Sequence, residues 1–329
     1  MAMSVSPADA RASAATARRS RAFQVGVTLC IINTIIGAAQ PVITRWGAVN
    51  LDPLLFCTGA VVFASICTLP LLYFSGELKL IVDPRYRGRL FVMAMAGTVM
   101  TSLTLTYGLT GIGAVAGVLL LQTEPVYSLA ISSMFVGERP SKIQFLATAI
   151  VLVGIGSVFG TGGAFSPLWA AALVFMTPLF WQASHVIGLK LMPPLTPTSV
   201  TGGRFLYASI VMTAMLLAFR RDSLVQLGDM NSLGVILITG FFIYFISALT
   251  WYGAINRLSL AWTTALVVPG IPILSILFAV IFLGERATTR EVIGILISVS
   301  GVAALVLGAD PHRKHPASEA AEAIHEPLI

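Results

Sequence analysis

Charge is scarce in this sequence. Lys, Arg, Asp and Glu make up only 10% of the 329 residues, whereas soluble domains carry about a quarter. Hydrophobic residues make up 57% of the chain, and the mean hydropathy is +0.90. This balance excludes an ordinary soluble globular protein and predicts an all-α polytopic membrane protein.

Cysteine pairs and the usual catalytic motifs are missing as well. Cys30, Cys57 and Cys67 lie singly inside apolar runs, so the sequence predicts neither a disulfide framework nor a zinc site. No Gly-x-x-x-x-Gly-Lys-Ser/Thr loop occurs, which argues against an ATP-driven pump. No His-Glu-x-x-His or multi-Asp motif occurs either, so an enzyme is disfavoured and no cofactor or metal is expected.

The formal net charge of +6 does not indicate a nucleic-acid partner. The Lys and Arg residues fall in short segments between apolar stretches instead of forming a basic face. They are therefore interpreted as signals of membrane topology, with the lipid bilayer as the main partner.

Apolar stretches long enough to span a bilayer, about 20 residues each, occur ten times. They cover residues 23–46, 53–75, 89–110, 113–136, 143–160, 168–191, 199–219, 232–255, 259–283 and 291–307. Residues 1–22 and 309–329 are predicted to be soluble tails, the first of them disordered. Only Thr110-Gly-Ile-Gly113 separates the third and fourth spans, which predicts a tight helical hairpin.

Loop charges predict the orientation. With the N-terminus inside, fifteen of the 20 Lys and Arg residues fall on inner segments, and five (Arg45, Arg220, Arg221, Arg286 and Arg290) fall outside. The positive-inside rule therefore places both termini in the cytoplasm. A bacterial inner membrane is the expected location.

The chain also repeats itself. Phe135-Val-Gly-Glu-Arg139 recurs as Phe282-Leu-Gly-Glu-Arg286, and the same shift of 147 residues superposes Pro125 on Pro272 and Gly154 on Gly301. The pattern predicts two halves of five spans, 23–160 and 161–308. Because five is odd, the second half enters the membrane in the opposite sense, an arrangement found in many secondary transporters.

The Gly-Glu-Arg loops have two interpretations. Gly137 and Gly284 are predicted to end the preceding helices, with Glu138 and Glu285 pinning the helix junctions; the alternative is a part in transport coupling. Small residues four apart predict close packing of the fourth, fifth and tenth helices. These are Gly113 with Gly117, Gly156 with Gly160, and Ser300 with Ala304 and Gly308.

An apolar helix with Pro, then Leu/Val-Gly-Glu-Arg, then a Gly-containing helix resembles the EamA domain. This domain is present twice in ten-span members of the drug/metabolite transporter superfamily. The resemblance covers about residues 23–308 and, within the family, is greatest to bacterial amino-acid exporters of the YddG type. It implies two intertwined repeats around a central cavity that opens alternately to each side. The superfamily's small multidrug exporters have their essential carboxylate in the first span, where this chain has none.

Glu124 is the most unusual single residue. It lies about eleven residues into the fourth span, roughly 16 Å deep, where an ionisable group costs at least ~2.5 kcal/mol. Pro125 follows it, and Pro272 repeats that proline in the second half without the carboxylate. Glu124 is therefore a candidate proton acceptor or anchor for a substrate ammonium. The competing interpretation is a structural Glu, hydrogen-bonded to Gln122, a Thr or a backbone group.

Further polar and aromatic positions are predicted to line the same cavity. They are Asn33, Gln40, Thr101, Tyr107, Gln122, Trp181, His185, Tyr244 and Trp251, with Pro41 as a further kink beside Gln40. Helix packing is the alternative for the threonines, and interfacial anchoring is the alternative for Trp181, His185 and Trp251.

The predicted function is export of small organic metabolites by alternating access. Aromatic and amide groups with one carboxylate favour aromatic and other neutral amino acids. Polyanions are disfavoured because Arg45, Arg204 and Arg257 are predicted at helix ends. The protein is expected to act as a monomer. The alternatives are export of other metabolites or drugs, a membrane-embedded enzyme, and a receptor that binds without flux.

Overall fold

The computed structural model describes residues 7–135, 141–158, 166–192, 195–255, 257–258, 263 and 266–307. In these ranges all regular secondary structure is helical. The helices are α1 (Pro7–Asn50), α2 (Pro53–Phe74), α3 (Leu78–Val82), α4 (Pro84–Gly111), α5 (Ala114–Leu121), α6 (Glu124–Phe135), α7 (Lys142–Gly156), α8 (Leu168–Leu191), α9 (Pro197–Phe219), α10 (Met230–Ile255), α11 (Gly270–Leu283) and α12 (Thr289–Leu307). A 3₁₀ segment, Arg221–Gly228, connects α9 to α10.

Seven helical stretches of the described chain are long and apolar enough to cross a membrane, and α7 and α11 are apolar but shorter. The fold is therefore that of a multi-pass helical membrane protein, while the count of ten spans stays a prediction. The tight hairpin predicted between the third and fourth spans is confirmed, since α4 ends at Gly111 and α5 begins at Ala114.

The prediction of a disordered N-terminal tail is wrong for residues 7–22, because α1 already begins at Pro7. Pro7 is tolerated at the first helical position, where its missing N–H has no partner to lose. No Gly or Pro follows until Gly26, and Ala and Arg, two strong helix formers, dominate the segment. Residues 308–329 lie outside the described residues, so the C-terminal tail stays a prediction.

Three helices start with the same two-residue signal, a capping side chain followed by proline. Asp52, Asp83 and Thr196 stand directly before the prolines that open α2, α4 and α9, and each accepts a hydrogen bond from the first turn of its helix. The side-chain oxygen satisfies a free N–H, and the fixed φ of proline suits the first helical position. These signals set where the helices begin.

Helices α7 and α12 occupy equivalent places in the two halves and begin alike. The Gln144 N–H donates to Ser141 Oγ, and the Ser141 N–H donates to the Gln144 side chain, which forms a capping box. Thr288 and Glu291, each 147 residues further on, make the same reciprocal bonds at the start of α12. The repeat therefore includes a helix-start signal.

The same two helices pack antiparallel through glycine. A Cβ added at Gly154 would lie 2.6 Å from the carbonyl oxygen of Gly294, and one at Gly301 would lie 2.8 Å from that of Ala147. Gly294 and Ala147 are themselves 147 positions apart, so the contact is reciprocal, as at a two-fold axis. Ala147, early in α7, meets Gly301, late in α12, whereas the later residue Gly154 meets the earlier residue Gly294. Equivalent helices thus run in opposite directions, as inverted repeats require.

The predicted small-residue spacing at Gly156 does not make this contact. A Cβ built at Gly156 meets no atom within 4 Å, whereas Gly154, two residues earlier, lies against α12. Gly160 and Gly308, the other ends of two predicted spacings, lie outside the described residues. A four-residue spacing predicts that a helix face is smooth, but not that another helix covers it.

We predict that Gly154→Ala lowers the stability of the protein and that Gly156→Ala does not. The new Cβ at position 154 would lie 2.3 Å from Ser298 Oγ as well as against the Gly294 backbone, so the helices must separate. Overpacking of this kind costs about 1–3 kcal/mol. The measurement is the thermal unfolding midpoint of the purified protein in detergent. Equal midpoints for the two variants would contradict the close contact between α7 and α12.

Candidate functional site

Two helical stretches are interrupted at equivalent points of the repeat. A turn at Gln122 and Thr123 separates α5 from α6, and a turn at Val268 and Pro269 precedes α11. Irregular backbone at membrane depth is tolerated only where protein buries it or where it lines a cavity. The two breaks therefore mark where a site would form.

The predicted kink residues lie at or near these breaks in two cases out of three. Pro125 and Pro272 fall in the first turns of α6 and α11, directly after the breaks. A proline has no N–H to continue the helix ladder. Pro41, by contrast, lies inside α1, which continues to Asn50. A hinge role for all three prolines stays a prediction.

A cavity of about 170 Å³ lies against both breaks. A cavity of ~150 Å³ holds a benzene-sized molecule, so this space suits a small organic solute. Eight helices contribute to its wall: α1, α4, α5, α6, α8, α9, α10 and α11. The predicted positions that line it are Asn33, Gln40, Pro41, Thr101, Gln122, Glu124, Trp181, His185, Tyr244 and Trp251.

Tyr107 is the one predicted cavity residue that lies elsewhere. Its ring packs in an apolar cluster with Leu54, Cys57 and Val99. Tyr107 is six residues beyond Thr101, and at about 100° per residue this turns it roughly 120° away from the face that Thr101 presents. The prediction that Tyr107 lines the cavity is therefore wrong, because its side chain points away from the face of α4 that borders the cavity.

The Glu124 carboxylate is held by the second half of the chain. Gln182 Nε2 on α8 donates a 2.8 Å hydrogen bond to Glu124 Oε1. The described residues offer no ion pair to this carboxylate and no hydrogen bond to its Oε2. The predicted partner Gln122 does not bond to it, and the Gln122 Nε2 atom is buried without a partner in the described part of the chain.

Both halves place a π-helical segment beside the cavity. Residues Met95–Met100 of α4 and Thr239–Ile246 of α10 form i→i+5 turns, and the two segments overlap when shifted by 147 residues. Such turns insert an extra residue into a helix and occur often at functional sites. Gly97 lines the cavity from the first segment, and Tyr244 lines it from the second.

Aromatic side chains form one wall of the cavity. His185 on α8 and Trp251 on α10 stack with ring centres 5.9 Å apart and planes within 20°. The Tyr244 hydroxyl lies 2.8 Å from Ser102 Oγ, which fixes the orientation of its ring. Trp181, one turn before His185, is half-buried against the same space. These rings therefore face the cavity and not a lipid interface.

Asn33 has a positioning role. Its Nδ2 donates to the Ser247 carbonyl oxygen at 2.8 Å and to Thr250 Oγ1 at 2.9 Å. Both amide hydrogens are therefore used to join α1 to α10. Only the Asn33 carbonyl oxygen is left to contact a solute.

The prediction that Arg204 sits at a helix end is wrong. Arg204 lies seven residues after Pro197, about 10 Å along α9, and lines the cavity. Its guanidinium carbon is 4.9 Å from the centre of the Phe205 ring. Among the described residues it has no ion pair and no hydrogen bond, and its Nε is buried without a partner. A charged residue inside a 23-residue apolar helix is a sequence signal for a buried functional group, and it could have identified Arg204.

A polar latch joins the two halves at the end of the bundle that is predicted to face outward. Arg45 Nε lies 3.8 Å from Glu285 Oε1, and Arg45 also donates to the carbonyl oxygen of Thr110 at 3.0 Å. Glu285 accepts from the N–H groups of Ala114 and Val115 at 2.9 and 3.1 Å. The carboxylate thus caps the positive N-terminus of α5.

Backbone geometry directs Glu285 into this latch. Gly284 ends α11 in the left-handed conformation, with φ of 64°, which glycine adopts without a steric penalty. The prediction that Gly284 ends its helix is confirmed. Gly137 and Glu138, its counterparts in the first half, lie outside the described residues.

Comparison with known proteins decides the family. The profile of the EamA-like transporter family matches residues 24–160 and 168–307. The chain belongs to the EamA-like transporter family. Its two matches correspond to the two halves of the repeat, and the family is consistent with the drug/metabolite transporter superfamily. The family points to a transporter and not to an enzyme, as predicted.

Two curated relatives and one solved structure are similar to this chain. An uncharacterized transporter of Archaeoglobus fulgidus is 24% identical over 215 residues, which is 65% of this chain and 75% of the relative. An uncharacterized protein of Pseudomonas aeruginosa is 26% identical over 71% of this chain and 81% of its own length. One crystal structure superposes with a TM-score of 0.62 over 88% of this chain and 98% of its own, at 14% identity. That likeness shows the fold alone.

We predict that Glu124 and Gln182 are energetically coupled. A double-mutant cycle of Glu124→Ala and Gln182→Ala should give a coupling of about 0.5–3 kcal/mol, because the two side chains share one buried hydrogen bond and alanine at either position removes it. The measurement is thermal unfolding of the four proteins in detergent. A control cycle pairs Glu124→Ala with Asn231→Ala, an exposed residue near the start of α10, and should be additive. Additivity in both cycles would contradict the bond.

Proposed function

We propose that the protein exports small organic metabolites, above all aromatic and other neutral amino acids, across the inner membrane by alternating access. Membership of a transporter family supports transport. The choice of solute is supported by one observation, the cavity at the two helix breaks, which combines a carboxylate with stacked aromatic rings.

The cavity chemistry favours an ammonium and a flat apolar group. Glu124 keeps one carboxylate oxygen without a hydrogen bond in the described chain and attracts a cation. Aromatic faces such as those of Trp181 and Trp251 also attract ammonium groups and stack on rings. A volume of about 170 Å³ accepts a small metabolite and excludes a large drug unless the helices separate.

The latch between Arg45 and Glu285 would keep one end of the cavity closed during the transport cycle. Arg45 belongs to the first half and Glu285 to the second, so their contact joins the two halves. The helices that the latch connects, α1, α5 and α11, also line the cavity. A large buried apolar cluster, which includes Val42, Leu109 and Ala114, packs beside it. In the predicted orientation, the latch would hold the cavity closed toward the outside. Rocking of the halves about the two helix breaks then opens the latch and exposes the cavity outward.

Amino-acid flux in proteoliposomes tests the proposal. We predict saturable flux of labelled aromatic and aliphatic amino acids, reduced about tenfold in Glu124→Gln, since a lost charge-assisted hydrogen bond contributes ~1.5–3 kcal/mol. Asp222→Asn, which changes a fully exposed acid outside the cavity, should leave the flux unchanged. Runs with and without a pH gradient decide whether Glu124 carries protons. If no amino acid is transported, the amino-acid proposal fails, and other metabolites and drugs are the next solutes to measure.

Cysteine accessibility tests alternating access. In a protein whose three native cysteines are replaced, Thr101→Cys or Tyr244→Cys places a thiol in the cavity. We predict that Glu285→Ala accelerates its labelling by a membrane-impermeant maleimide from the Arg45 side, because the latch no longer holds that end closed. Asp222→Asn is the matched control. Labelling that is unaffected by Glu285→Ala and by added solute would contradict the proposed gate.

A further inference from the structure

We propose that Arg204 is the anion subsite of the cavity and binds the carboxylate of the transported solute. This inference rests on the proposed transport function and deepens it, because it makes a carboxylate a requirement for tight binding. Glu124 then faces the ammonium of the same zwitterion.

Arg204 has no charged partner in the described chain. The ion pairs of the described residues are Arg45–Glu285, Arg220–Asp52 and Arg221–Asp222, and none of them includes Arg204. A cation at membrane depth costs ~2.5–3.5 kcal/mol even on the lenient scale and is expected where a partner or pathway compensates it. Among the described residues, the cation–π contact of Arg204 is with the Phe205 ring, at 4.9 Å.

A cluster of unsatisfied hydrogen-bond donors in the described chain lies around the same cavity. Arg204 Nε, Gln122 Nε2 and the Tyr252 hydroxyl are buried, and none of them has a hydrogen-bond partner in the described chain. All three residues line the cavity. Buried polar groups in folded proteins nearly always have partners. A solute that brings acceptor oxygens into the cavity would supply the missing hydrogen-bond partners.

Two opposite charges lie at the cavity without contacting each other in the described chain. Glu124 and Arg204 line one cavity, but they do not pair. Glu124 bonds to Gln182 on α8, while Arg204 on α9 has neither an ion pair nor a hydrogen bond in the described chain. The ammonium and carboxylate of an α-amino acid leave the same carbon, so one small zwitterion can face both charges.

The geometry favours a carboxylate over a phosphate. Arg204 is the one Lys or Arg among the residues lining the cavity, whereas a phosphate ester carries about −1.5 to −2 charges. A planar guanidinium matches the two oxygens of a carboxylate. The Phe205 ring beside it limits the orientations the guanidinium can adopt.

The experiment compares three solutes that differ by one group: phenylalanine, phenethylamine, which lacks the carboxylate, and 3-phenylpropionate, which lacks the ammonium. Proteoliposome flux gives KM and the maximal rate for wild type, Arg204→Gln and Arg204→Lys. Arg257→Gln is the control, because Arg257 is exposed near the end of α10 and does not line the cavity.

We expect Arg204→Gln to raise KM for phenylalanine about tenfold or more and to change KM for phenethylamine by no more than about twofold. Arg204→Lys should fall between wild type and Arg204→Gln for phenylalanine, because it keeps the charge but not the planar pair of donors. Equal losses for phenylalanine and phenethylamine would overturn the assignment and leave Arg204 a structural residue.

Failure of the proposed function is distinguishable from failure of this subsite. If wild type transports no amino acid, 3-phenylpropionate and phenyl phosphate are titrated against the purified protein, with tryptophan fluorescence as the readout, since Trp181 and Trp251 lie in the cavity. Carboxylate binding that Arg204→Gln abolishes supports the subsite without amino-acid transport. Binding of phenyl phosphate alone, or carboxylate binding unchanged in Arg204→Gln, overturns it.

Discussion

Inside a bilayer, each backbone N–H and C=O group must find a partner within the protein, because no water is present to replace one and each orphan costs several kcal/mol. This constraint explains why all regular secondary structure in the described residues is helical. It also limits where helices can be interrupted, as they are at Gln122–Thr123 and at Val268–Pro269. Both interruptions border the same cavity, so the position of the candidate site follows from the requirement that irregular backbone be sheltered.

The same constraint applies more strongly to charge. Three carboxylates illustrate different solutions: Asp52 and Glu285 cap helix N-termini, while Glu124 accepts one hydrogen bond from Gln182. Of these, only Glu124 lines the cavity. Arg204 shares that cavity and has no acid partner in the described chain. Two opposite charges that line one cavity without pairing are a reason to expect a solute that carries both.

Symmetry accounts for much of what sequence could predict. The shift of 147 residues identified Pro125 with Pro272 and Gly154 with Gly301. The structure places Gly154 against Gly294 and Gly301 against Ala147, which is a reciprocal antiparallel contact. Helical spacing also paired Asn33 with Gln40 and Trp181 with His185. The structure places all four at the cavity that Glu124 lines. The family resemblance made the same architecture expected.

The errors share a cause, which is that sequence periodicity does not reveal neighbours. The position of Arg204 depends on where α9 begins, which hydropathy defines only to within about two to four residues. Tyr107 lies roughly 120° around α4 from the face that Thr101 presents. The π-helical segments at Met95–Met100 and Thr239–Ile246 leave no mark in hydropathy, because an inserted residue changes the hydrogen bonding but not the apolar composition. The Arg45–Glu285 latch joins residues 240 positions apart, beyond any local pattern.

Alternating exposure of one cavity is the central claim, and a distance measurement tests it most directly. Spin labels at Val49→Cys on α1 and Arg286→Cys after α11, two exposed positions flanking the latch, report the separation of the halves by pulsed electron paramagnetic resonance. In lipid nanodiscs, the account predicts a short and a long distance population whose ratio shifts when transported solute is added or when Glu285→Ala is introduced. A single distance that neither change alters would contradict it.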